Sequence, residues 1–146
     1  MSGYTIKDSG ERTEFTTGAV RDLRKGKGRF DLLPPMTMKA LAIHYELGCQ
    51  KYGDRNWELG IPVSKYIDSA LRHLFEFQDG LEDENHLVAA LWNVCCAYET
   101  LLRIQLGWLP PKLYDLPRKV KLPYPYPDEI IQEIITCIGT PSQQKV

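Results

Sequence analysis

Three successive stretches of this chain place apolar side chains at three- and four-residue spacing, and each is bracketed by proline or glycine. The first carries Met38, Leu41, Ala42, Tyr45 and Cys49, behind Pro34-Pro35 and ahead of Gly53. The second opens near Pro62, carries Ile67, Ala70, Leu71, Leu74 and Phe75 or Phe77, and closes at Gly80. The third runs through Leu87, Leu91, Val94, Cys95, Tyr98, Leu101 and Leu102 to Gly107. That spacing is the period of an amphipathic helix, and strand-like alternation is nearly absent. Short connections between consecutive helices force antiparallel packing, so the spacing predicts an all-α, antiparallel helical bundle. Small residues at Ala89 and Ala90 let helices approach closely.

The flanks read differently. Residues 1–17 are polar and lack a period, which predicts a mobile N-terminal arm. Beyond Gly107, Pro110-Pro111 and Pro123, Pro125 and Pro127 exclude regular helix, because proline lacks the N–H and clashes with the preceding turn. Residues 108–127 therefore read as an extended, proline-rich arm. Residues 128–146 read as a short C-terminal helix and tail, with Ile130, Ile131, Ile134, Ile135 and Ile138 forming a stripe that docks on a neighbouring subunit or on the chain's own core.

Composition excludes several classes. At 146 residues with 43% apolar content, the chain is most simply one domain with one core. A pI near 6.3 argues against non-specific nucleic-acid binding. No apolar run approaches the roughly 18 residues of a membrane span. The first residues lack the apolar stretch of a signal peptide. Cys49, Cys95, Cys96 and Cys137 form no CxxC pair, so a disulfide framework is not expected and a reducing cytoplasm is.

Charge is segregated although the net charge is only −1. Arg21, Arg24, Lys25, Lys27 and Arg29 crowd one segment together with Gly26 and Gly28. Glu76, Asp79, Glu82, Asp83 and Glu84 crowd another about fifty residues later. Such a separation suits a polyanion that carries a divalent metal, with cations on the phosphates and carboxylates on the metal; a nucleoside triphosphate is one. The basic segment is not a Walker A loop, since GxxxxGK[ST] does not occur.

Polar groups on the helices carry more information. Asp68, Arg72 and Glu76 follow one another at four-residue spacing, and Ser69, His73 and Glu76 share a neighbouring face. Glu82 and Asp83 lie four and three residues before His86, and Asn93 returns seven residues after it. Carboxylates and imidazoles that face one another across a helical bundle are a common way to hold a divalent metal. On a loop, Trp57 beside Arg55 and Asn56 could stack on a base.

Four segments occur in order: Gly28-Arg29-Phe30-Asp31-Leu32-Leu33-Pro34-Pro35, Lys51-Tyr52-Gly53-Asp54-Arg55-Asn56-Trp57, Asp68-Ser69-Ala70-Leu71-Arg72-His73-Leu74 and His86-Leu87-Val88-Ala89-Ala90-Leu91-Trp92-Asn93. This series resembles the tailed-phage dATP/dGTP diphosphohydrolase family, which looks like a branch of the all-α, MazG-like nucleoside triphosphate pyrophosphohydrolases. The resemblance covers about residues 18–103 and makes residues 18–107 the helical catalytic domain. It implies hydrolysis of a purine deoxynucleoside triphosphate to the monophosphate and pyrophosphate. It also implies that the dGMP so formed feeds synthesis of 2-aminoadenine, the base that replaces adenine in some viral genomes.

One departure stands out. Typical MazG-like enzymes carry ExxE on one helix and ExxD before Val-Leu-Trp on a later one. Alignment on Leu91-Trp92 puts His86 at the usual Glu and Ala89 at the usual Asp, and the first helix offers only Glu46. The expected metal set is therefore Glu46, Asp68, Glu76, Asp83, His73 and His86, holding Mg²⁺, Mn²⁺ or Co²⁺ with a bias to the softer two. Glu46 or Asp83 is the expected catalytic carboxylate. Lys25, Lys27, Arg29, Asp31, Lys51, Arg55, Asn56, Trp57, Arg72 and Asn93 are the expected substrate ligands. A small helical protomer of this kind is expected as a homodimer or homotetramer. Two competing readings are an HD-type triphosphohydrolase and a non-catalytic nucleotide-binding or assembly module. The first needs a His-Asp dipeptide, which the chain lacks.

Overall fold

The structure is a computed structural model that describes residues 10–24 and 26–120. It divides into a small N-terminal unit ending at Leu33 and a helical unit starting at Pro34.

In the N-terminal unit, strands β1 (Arg12–Glu14) and β2 (Val20–Asp22) pair antiparallel, with Thr13 opposite Arg21. The turn between them is closed by the Gly18 N–H on the Phe15 carbonyl at 2.8 Å, and Gly18 takes φ +82°, where a side chain would strain. This hairpin corrects the expectation of an arm without structure over residues 10–17. Three-residue strands are too short to show alternation, so no period was visible. A 3₁₀ turn over Phe30–Leu32 follows.

The helical unit confirms the all-α reading. Helix α1 (Pro35–Tyr52) starts with Pro35 in its first turn, where the missing N–H costs nothing. It ends where the Gly53 N–H reaches the Cys49 carbonyl at 2.8 Å. Helix α2 (Val63–Gln78) buries Val63, Tyr66, Ala70 and His73 on one face. Helix α3 (His86–Gln105) buries His86, Ala89, Ala90, Asn93, Cys96, Ala97 and Thr100. The α2–α3 seam is the most extensive helix contact among the described residues. Its alanines and Cys96 permit the close approach, while Trp92 and Tyr45 fill the wider space toward α1 by edge contacts between rings 5.9 Å apart. By length and composition alone α3 is long and apolar enough to cross a membrane. Here its polar residues His86, Asn93 and Thr100 lie buried on a packed face, as in a core helix.

The α2–α3 connection positions the site. Gly80 takes φ +79° after the end of α2, the Gly80 N–H bonds the Phe77 carbonyl, and the Leu81 N–H bonds the Glu76 carbonyl. This Schellman closure turns the chain back over the end of α2. The Asn85 side chain then accepts from the Val88 N–H at 3.2 Å and starts α3.

The expected proline arm is only partly extended. Among the described residues, 108–120 fold back on the helical unit through a 3₁₀ turn at Pro111–Leu113. Leu116 packs against the core, and Asp115 accepts from the Ser64 N–H at 2.9 Å and from its hydroxyl at 2.5 Å, capping α2. Apolar contact outweighs the extended bias of isolated prolines. The expected helix at 128–146, and the arm from 121, lie outside the described residues.

Candidate metal centre

Glu76 and His73 sit one turn apart near the C-terminal end of α2, and His86 is the first residue of α3. The turn between the helices carries Glu84 over them. Donor atoms of His73, Glu76, Glu84 and His86 all lie within 4.8 Å of one another. His73 Nδ1 is 3.2 Å from His86 Nδ1, 3.3 Å from Glu76 Oε2 and 3.4 Å from Glu84 Oε1. His86 Nδ1 is 3.2 Å from Glu76 Oε2 and 3.8 Å from Glu84 Oε1. A tetrahedral ion with bonds of about 2.1 Å sets its donors about 3.4 Å apart. These four side chains therefore fit a single divalent ion.

Both imidazoles are buried, whereas Glu84 is 44% exposed and opens the cluster to solvent. Each outer ring nitrogen has a partner. Asp83 Oδ1 lies 2.9 Å from His86 Nε2. Arg72 Nη2 lies 3.1 Å from His73 Nε2, and Arg72 Nη1 donates to both Glu76 oxygens at 2.9 and 2.8 Å. The hydrogen bond from His86 holds the Asp83 carboxyl below its ordinary range. Burial, and then the Arg72 cation, push the His73 imidazole below its ordinary value. Glu76 raises the Arg72 guanidinium further.

With both rings neutral, donor accounting orders the ring protons. A guanidinium can only donate, so His73 Nε2 accepts and its proton sits on Nδ1. The ionised Asp83 can only accept, so the His86 proton sits on Nε2. His73 Nδ1–H then donates to His86 Nδ1. The result is a one-directional chain from Arg72 through His73 and His86 to Asp83.

The family model for the dATP/dGTP diphosphohydrolase N-terminal domain matches residues 17–106. The chain belongs to this family. It is thus an enzyme, a nucleoside triphosphate pyrophosphohydrolase, and the matched segment contains all four clustered residues. No curated protein and no solved structure matches it.

His73, Glu76 and His86 come together. Asp83 sits outside, on the far nitrogen of His86. Asp68 does not join: it is exposed, about 140° around α2 from His73 at 3.6 residues per turn. Arg72 pairs with Glu76 in preference to Asp68. Glu46 is exposed on α1 and is not among the gathered donors. Glu84 was missed, because helical spacing from His86 selected Glu82 and Asp83, while α3 begins only at His86. The acidic turn itself was the available signal.

Among the expected substrate ligands, Trp57 is already packed, edge-on to Tyr45 with the Arg103 guanidinium 5.0 Å over its ring. The ring is half-buried against the core and lines a small cavity. Asn56 lines a small cavity of about 30 Å³ with Tyr45, Trp57 and Trp92. Arg55 pairs with Glu58 at 2.8 Å, and Lys51 lies 5.0 Å over the Tyr52 ring. Asn93 is buried and donates to the Ala89 carbonyl at 2.9 Å. In the N-terminal unit Asp31 is chelated by Arg29, at 2.7 Å, and by Arg24. Lys27 lines an open concavity of about 720 Å³ with Arg21, Arg24 and Phe30. Lys25 lies outside the described residues.

Proposed function

We propose that His73, Glu76, Glu84 and His86 hold one divalent transition metal, and that this centre hydrolyses dATP or dGTP to the monophosphate and pyrophosphate. The observation that carries the reading is the set of donor separations, 3.2 Å between the two imidazoles and 3.2–3.8 Å from each imidazole to the two glutamates. Two imidazoles and tetrahedral spacing favour Mn²⁺, Co²⁺ or Zn²⁺ over Mg²⁺, which prefers octahedral oxygen. When bound, the ion supplies Lewis-acid polarisation of the phosphate oxygens. Asp83 holds the His86 ring in the tautomer that leaves Nδ1 free to ligate. Glu84 is part-exposed, so the oxygen not used in the cluster orients the water whose oxygen attacks the α-phosphorus and accepts the proton that water loses. The bond between the α-phosphorus and its bridging oxygen breaks, and pyrophosphate departs.

Exposed apolar side chains support a homo-oligomer. Met36, Ile43 and Leu47 line α1, Leu71, Leu74 and Phe75 line α2, and Leu87, Val94 and Tyr98 line α3. The reading places the enzyme in the cytoplasm, where its substrates are, with dGMP as a precursor for 2-aminoadenine nucleotides.

The test is incubation of each dNTP with purified protein and Mg²⁺, Mn²⁺, Co²⁺ or Zn²⁺, with chromatographic resolution of products. Monophosphate and pyrophosphate from a purine dNTP are expected. Nucleoside and triphosphate would contradict the reading, as would absence of turnover with every metal.

A further inference from the structure

The two histidines are not equally ready for a metal. His86 donates its only proton outward to Asp83, so its Nδ1 lone pair already points into the cluster. His73 is held the opposite way. Arg72 Nη2 donates to its Nε2 at 3.1 Å, which puts the ring proton on Nδ1, at the position a metal must take.

A neutral imidazole has one proton and two nitrogens. If Nδ1 gives its lone pair to a metal, the proton moves to Nε2, where it meets an Arg72 N–H. Two donors cannot face each other at 3.1 Å. Loss of the ring proton altogether would leave an anionic imidazolate that keeps the Arg72 contact, at the cost of deprotonating a very weakly acidic N–H. Arg72 has somewhere to go, since its side chain is 52% exposed and its Nη1 bonds to Glu76 do not depend on the His73 contact.

We propose that Arg72 gates this centre: it must release His73 Nε2 for a divalent metal to bind at Nδ1, and its freed guanidinium edge then takes the phosphate oxygens of the nucleotide. The gate rests on the metal centre proposed above. It couples the two ligands in order, because the arginine that greets the phosphates is available only once the metal is in place. A guanidinium offers the fork geometry that phosphate oxygens accept.

The experiment uses the full chain, ¹⁵N-labelled, with Zn²⁺ as a diamagnetic probe. Long-range ¹⁵N–¹H spectra report which ring nitrogen carries the proton, and calorimetry reports affinity. Without metal, the His73 proton is expected on Nδ1 and the His86 proton on Nε2. With one equivalent of Zn²⁺, both are expected on Nε2. Arg72→Ala is expected to bind Zn²⁺ about tenfold more tightly, as fits removal of one charge-assisted hydrogen bond that must otherwise break. Removing a positive charge also favours a cation, so the ring-proton position decides. Zn²⁺-loaded Arg72→Ala is expected to bind a non-hydrolysable dGTP analogue about tenfold more weakly.

A Zn²⁺-loaded protein whose His73 Nε2 still lacks a proton overturns the gate while leaving the metal centre standing. Unchanged Zn²⁺ affinity in Arg72→Ala does the same, and unchanged analogue affinity overturns the phosphate role. Equal Zn²⁺ binding by wild type and His86→Ala overturns the metal centre, and the gate with it.

Discussion

His73 Nδ1 stands 3.2 Å from His86 Nδ1, across the seam between two helices and thirteen residues apart in sequence. Two buried imidazoles this close need either a shared proton or a shared cation between them. Glu76 and Glu84 bring two carboxylate oxygens to the same point, which turns a proton-bridged pair into a four-donor centre.

In the proposed metal centre, removing one of these rings removes a ligand. His86→Ala is expected to lower metal affinity by at least about a hundredfold and abolish measurable turnover, with the helical circular dichroism retained. Calorimetric titration with Mn²⁺ and a product assay check both halves.

Glu84 separates the structural reading from the one based on helical spacing. Glu84→Gln is expected to weaken metal binding by roughly tenfold or more. Glu46→Ala and Asp68→Ala are expected to stay near wild type, because neither side chain is among the gathered donors. Loss of binding in either of those two would relocate the site.

Much of this was legible in advance, for definite reasons. The α2 and α3 stripes are long enough to repeat three times, so helix identity and the pairing of His73 with Glu76 follow from spacing alone. Glu84 does not, because it lies in a turn whose path is set by Gly80 and the Asn85 cap and has no period. The N-terminal hairpin has strands of three residues, below the length at which alternation can be seen. The path of residues 108–120 is not legible in the same way, because proline content reports what the backbone cannot do and says nothing of Leu116 packing on the core.

Asp115 gives a pH-dependent contribution of known sign. The Ser64 hydroxyl, and then its N–H, hold the Asp115 carboxyl below its ordinary 3.8. A carboxyl lowered on folding stabilises the fold above its unfolded value, and that contribution disappears as pH falls through the folded value. Asp115→Ala is therefore expected to lower the melting temperature at pH 7, with the gap to wild type closing below about pH 4. Thermal melts of both proteins across pH check this. A gap that persists at pH 2 would show that packing, and not the ionised cap, is responsible.

Gly60 joins a backbone constraint to a packing one. Its φ is +95°, and an added Cβ would stand 2.7 Å from Leu113 Cδ1. Gly60→Ala is expected to destabilise the fold by about 2 kcal/mol, through overpacking and a disfavoured φ. Urea unfolding measures it. A change under about 0.5 kcal/mol would mean that residues 108–113 do not hold this position.

The most direct test follows metal and chemistry in one sample. Chelator-stripped protein is titrated with Co²⁺ while visible absorption and pyrophosphate release from dGTP and dATP are recorded together. The account predicts intense tetrahedral Co²⁺ bands and turnover that rise in parallel to one equivalent per chain, with both absent in His86→Ala. Turnover in the stripped protein, or full turnover in His86→Ala, would contradict it.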